Sequence, residues 1–114
     1  MRLLIDDLRD FLDPAPAHVA RTSAAGAELL RRHRAEPIDE LWLDHDLGGE
    51  DTIWPVVELL ERAAFDGEPF TITTIYVHSA NPPGAAKVLQ ALRRWGYHVV
   101  PATNSAAVGY REPR

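Results

Sequence analysis

Apolar runs that stop abruptly on polar side chains recur along this chain. Met1 to Ile5 ends at Asp6 and Asp7, and Leu41-Trp42-Leu43 ends at Asp44-His45-Asp46, followed at once by Leu47-Gly48-Gly49. Phe70 to Val77, β-branched and aromatic almost throughout, ends at His78-Ser79-Ala80-Asn81. Compact apolar runs of this kind read as buried strands. Two shorter candidates are His18 to Arg21 and Tyr97 to Val100.

Helical spacing fills the intervals. Thr22 or Ser23 caps a first helix that runs through Leu29 and Leu30 into the basic Arg31 to Arg34, where positive charge suits the helix dipole, and Pro37 stops it. Asp51 or Thr52 offers the cap of a second, with Ile53, Val56, Val57, Leu60 and Ala64 on one face and Gly67 at its end. Pro82-Pro83-Gly84 opens a third, in which Ala85, Val88, Leu89, Leu92 and Trp95 share a face and Gly96 closes it. The prolines and weak periodicity of Asp6 to Ala17 predict a loop with a turn of helix at most. The tail from Thr103 to Arg114 is expected to be loosely structured. Strands alternating with helices imply one parallel sheet with right-handed crossovers and helices on both faces, the first helix degenerate and the last missing.

Composition narrows the class. A chain of 114 residues, 46% hydrophobic and 25% charged, is sized for a single domain over residues 1–114. With no cysteine there is no disulfide, thiolate metal site or thiol nucleophile. No apolar run reaches the roughly 18 residues of a membrane span, and the N-terminus turns acidic too early for a signal peptide, so a cytoplasmic location is expected. The formal net charge of −5 argues against an extended nucleic-acid surface. His18, His33 and His98 read as surface or packing residues, and Trp42, Trp54 and Trp95 as core or interface.

In a parallel sheet all strand C-termini share one edge, where ligands sit in open α/β folds. The three polar clusters should therefore converge. Carboxylates brought together repel and call for a hard cation, Mg²⁺ or Mn²⁺, which would in turn hold phosphate oxygens.

Paired acids after strand one, an Asp ending strand three and a Ser ending strand four resemble the receiver domains of two-component signalling. That resemblance implies a flavodoxin-like, three-layer sandwich with five parallel strands in the order 2-1-3-4-5. It also implies metal-binding roles for Asp6 and Asp7, a phosphoacceptor role for Asp44 and a phosphoryl contact for Ser79. Two departures stand out. Receivers carry a lysine before the proline that follows strand five, where this chain has Val100 before Pro101, and they lack His45, Asp46, His78 and Asn81. The DDLR, LDHDLGG and VHSAN elements together look more like a divergent receiver-like family proposed to process cyclic phosphates.

The roles that follow are expectations. Asp6, Asp7, Asp44 and Asp46 are the candidate metal ligands. Asp44, His45 and His78 are the candidate catalytic residues, the imidazoles because they titrate near neutrality. Arg9, Ser79, Asn81 and the backbone amides opening the Gly84 helix are expected to bind phosphate, Arg9 replacing the missing lysine. The expected activity is metal-dependent hydrolysis or ring opening of a phosphate ester, on a phosphorylated small molecule or a nucleic-acid end carrying a cyclic phosphate. The alternative is a non-enzymatic receiver-like module with Asp44 as phosphoacceptor. Asp44-x-Asp46 also matches the nucleophile and acid of haloacid-dehalogenase-like phosphatases, but those place this strand first and need a later lysine.

Overall fold

The computed structural model describes residues 1–102 and 107–109. Its main sheet holds β1 (Arg2–Ile5), β3 (His18–Ala20), β4 (Ile38–Asp44), β5 (Ile72–His78) and β6 (Val99–Pro101), all parallel, in the order β3-β1-β4-β5-β6. Counted along the sheet's own strands, this is the expected order 2-1-3-4-5. Three helices connect them: α1 (Ser23–Arg32), α2 (Trp54–Phe65) and α3 (Pro82–Arg94). A two-stranded antiparallel ribbon joins β2 (Asp10–Phe11) to β7 (Val108–Gly109).

Pairing, rather than apolar content, sets the strand limits. β4 starts at Ile38, because Ile38 pairs with Ile72 and Glu40 pairs with both Arg2 and Thr74. It also takes in Asp44, which pairs with His78. The last strand begins at Val99 instead of Tyr97. Tyr97 is already buried, and its hydroxyl donates to the Leu60 carbonyl at 2.7 Å.

The structure corrects four expectations. Thr22 caps α1, accepting from the Ala25 N–H at 3.1 Å, but the helix ends at Arg32. Asp51 does not cap α2; its carboxylate accepts from both the backbone N–H and the hydroxyl of Ser23, tying the loop after β4 to the start of α1. α2 begins after Ile53 with no side-chain cap, its demand lowered by a proline in the first turn. The first crossover contains β2 in place of a turn of helix. The tail is not uniformly loose: Val108 and Gly109 pair with Phe11 and Asp10, while residues 103–106 and 110–114 lie outside the described residues.

Strand alternation divides the core. Leu3, Ile5, Leu41, Leu43, Ile75 and Val77 face one way, into a cluster with Leu30, Val56, Leu60, Val88 and Leu92 of the three helices. Leu4 and Trp42 face the other way, packing with Phe11, Tyr76, Ala102 and Val108. Trp42 stacks on Tyr76 with ring centroids 4.3 Å apart. Among the described residues, helices thus cover one face and not both as expected, because the first crossover holds no helix, and the β2–β7 ribbon with its aromatic neighbours supplies the layer on the other. Among the described residues, no helix is long and apolar enough to cross a membrane.

Candidate metal and phosphate site

The same alternation positions the chemistry. Asp44 and His78 continue the Trp42 and Tyr76 side of their strands, and the two are paired across the ladder. Asp6 follows Ile5 and continues the Leu4 side of β1, its N–H donating to the Ala20 carbonyl of β3 at 3.0 Å. All three side chains reach the helix-free face at the C-terminal edge of the sheet. Each offers a ligand atom, and these atoms lie within 4.8 Å of one another. All three residues are buried.

Their electrostatics differ sharply. Burial alone would raise the Asp6 pKa. Hydrogen bonds outweigh it: His78 Nε2 approaches Oδ2 at 2.7 Å, and the N–H groups of Arg9 and Leu8 donate to Oδ1 at 2.8 and 2.9 Å. Asp6 is held down to about 2 and is firmly ionised. Asp44 is pushed up to about 6, by burial first and then by the Asp6 charge, with His78 and Arg9 only partly offsetting them. Among the described residues, no hydrogen bond counts among the causes that would stabilise its anion. A buried carboxylate left in this condition is what a cation would relieve. Two carboxylates of this kind fit a hard divalent ion, and an imidazole beside them suits Mn²⁺ as well as Mg²⁺. Among the described residues, the buried Nδ1 of His78 has no hydrogen-bond partner.

The two residues that follow Asp44 point elsewhere. His45 lies against the start of α3, so close that a Cβ added to Gly84 would stand 2.7 Å from its Cδ2 and 2.8 Å from its Nε2. Its Nδ1 is 3.0 Å from the carboxylate of Asp46, itself largely exposed. Neither residue belongs to the buried trio. The amides opening α3 are not open to phosphate as expected. Pro82 and Pro83 have none, Gly84 N–H donates to Asn81 Oδ1 at 3.1 Å, and Ala85 N–H donates to the Asn81 carbonyl at 3.0 Å. Ser79 Oγ accepts from the Asn81 N–H at 2.9 Å, so both polar side chains help build this turn.

A sequence model of the cyclic-phosphate processing receiver domain matches residues 1–94. The chain belongs to that family. Comparison with curated proteins gives no match.

In this receiver domain the remaining predicted residues ring the trio. Asp7 stands outside it, with Oδ2 facing Gly48, yet near enough for its charge to raise Asp44. Gly48 has φ +91°, a backbone conformation that favours glycine in the loop leaving β4. Arg9 lines the cavity beside the trio together with His78 and Ser79. The chain's single lysine, Lys87, is exposed on α3, and position 100, paired with Tyr76, carries valine.

One contribution has no mark in the sequence. Arg21 braces the loop that carries Asp6 and Arg9, its guanidinium donating to the Arg9 carbonyl at 2.6 Å and to Asp10 at 2.6 Å. No local signal marks it, because its partners lie across a loop. His78 sits with the acids as a third donor, and this was legible. It is the residue opposite Asp44 once β4 and β5 are paired, and it shares the face of Tyr76 and Trp42.

Proposed function

We propose that this domain hydrolyses or opens a phosphate ester, with a cyclic phosphate as the best candidate, using a divalent cation held by Asp6 and Asp44. The observation that carries the reading is the convergence of two carboxylates and an imidazole within 4.8 Å at the strand ends of a cyclic-phosphate processing receiver domain. Mg²⁺ or Mn²⁺, when bound, would neutralise the carboxylates and polarise the phosphate oxygens. Hydrolysis adds one water to phosphorus and breaks one P–O ester bond. The water loses a proton, and the departing oxygen gains one. His78 meets Asp6 through Nε2 and its Nδ1 is buried, so a proton it takes or gives in these transfers passes through Nε2. His45, backed by Asp46, is the second imidazole, on the α3 side. Arg9 supplies positive charge at the cavity rim, where receivers use lysine.

The test is turnover of nucleoside 2′,3′-cyclic phosphates and 3′,5′-cyclic nucleotides with Mg²⁺ or Mn²⁺. Activity is expected on at least one, falling by about 100-fold or more in Asp44→Asn. Absence of activity on all of them, or activity that survives the substitution, defeats the proposal.

One observation favours a second reading. Among the described residues no hydrogen bond to the Asp44 carboxylate counts among the causes that set its pKa, and a phosphoacceptor must remain available. A non-enzymatic switch would then bind beryllofluoride at Asp44 and change its oligomeric state without turnover. Val100 in place of a lysine weighs against it.

A further inference from the structure

We infer that the cavity beside the trio seats an aromatic ring attached to the phosphate, so that the ligand is an aryl or nucleoside phosphate ester. The inference rests on the reading of the strand ends as a phosphate site and adds what the rest of the ligand is. The cavity measures about 570 Å³. That is far more than a phosphate group needs, and it lies within the range of sites that take whole organic ligands. The polar lining comes from Arg9, His78 and Ser79, and His78 joins the cavity to the trio. The remaining wall is apolar: Trp42 from the sheet, Ala86 and Leu89 from α3. A ligand matching this layout has an anionic end and a compact apolar end. Charged or heavily hydroxylated groups would lose hydration there without gaining partners.

Three more wall residues are Pro101 of β6, Ala102 just after it and Val108 of the ribbon strand β7. All of them lie after residue 94, where the matched segment ends. This part of the wall is apolar too, and Val108 reaches it because β7 folds back onto β2. Ala86 is exposed on α3 and lines the cavity, so a large side chain there fills the space without entering the core.

Calorimetric titration of the full chain in Mg²⁺ with three probes tests this: inorganic phosphate, phenyl phosphate and adenosine 2′,3′-cyclic phosphate. Burying a ring should make one or both ring-bearing probes bind at least about tenfold more tightly than phosphate. Ala86→Phe should bring that advantage to about twofold or less. Ala102→Phe, from the opposite wall, should do the same, and circular dichroism verifies that both variants fold. An advantage for phenyl phosphate assigns the pocket to any aryl ring; an advantage for the nucleotide alone assigns it to a base. Equal affinity for all three probes, no measurable binding of either ring-bearing probe, or an advantage that survives both substitutions overturns the proposal. Binding is read without turnover, so an inactive protein that still prefers the ring refutes the enzymatic reading and leaves this one standing.

Discussion

At the scale of single residues, the site sets two buried aspartates to opposite tasks. Among the described residues, Asp6 takes three donors, and no donor counts among the causes that set the Asp44 pKa. Replacing Asp6 with alanine would strand two backbone N–H groups and an imidazole. It should cost about 3 kcal/mol, read from the midpoint of urea unfolding. Asp44 behaves in reverse. Its carboxyl is raised from 3.8 to about 6, so the fold favours the protonated form. As pH rises from about 4 to about 6, the unfolded chain loses this proton first and stability falls. Asp44→Asn removes that cost and should stabilise the chelated protein by about 2 kcal/mol at pH 7 while removing turnover. A lower unfolding midpoint for Asp44→Asn in EDTA would contradict the assignment.

At the scale of elements, strand identity and helix faces were readable because burial leaves a periodic trace in sequence. Helix starts were less so. Asp51 has the right residue type for a cap, yet it bonds Ser23, 28 positions earlier, a contact that exists only after the loop and α1 meet. The amides of α3 were misjudged for a local reason, since Pro82, Pro83 and the Asn81 cap leave none open. Gly84 gains a second meaning from the fold. Beyond opening the helix, it makes room for His45. Gly84→Ala should destabilise by about 1–3 kcal/mol, and much of that loss should disappear in the background of His45→Ala. Denaturant unfolding of the four proteins in the cycle measures the coupling, and strictly additive effects would show that the contact carries no strain.

At the scale of the whole molecule, the convergence of three strand ends was legible from topology alone. Which acids meet was not. The sequence offered Asp6, Asp7, Asp44 and Asp46 as equals, whereas alternation separates Asp6 from Asp7, and the end of β4 at Asp44 leaves Asp46 in the following loop, bridged to Thr52. The same pair shapes the response to pH and metal. Asp6 is depressed, so its contribution is present above about pH 4 and lost as pH falls towards 2. The Asp44 penalty grows between about pH 4 and 6 and stays above that range. A divalent cation that binds the ionised pair should therefore raise the melting temperature more at pH 7 than at pH 5. Thermal scans at both values, with Mg²⁺ and with EDTA, check this; an equal shift at the two would count against Asp44 as a ligand.

The alternation has one more consequence. The register that sends Leu41 and Leu43 under the helices is the register that delivers Asp44 to Asp6 and His78. Slipping β4 by one residue would exchange two carboxylates and one imidazole for one carboxylate and two imidazoles, a set better suited to zinc or iron. It would also expose leucines and bury Trp42 on the wrong side. Ion preference in this domain is thus guarded by ordinary core leucines that never touch the ion.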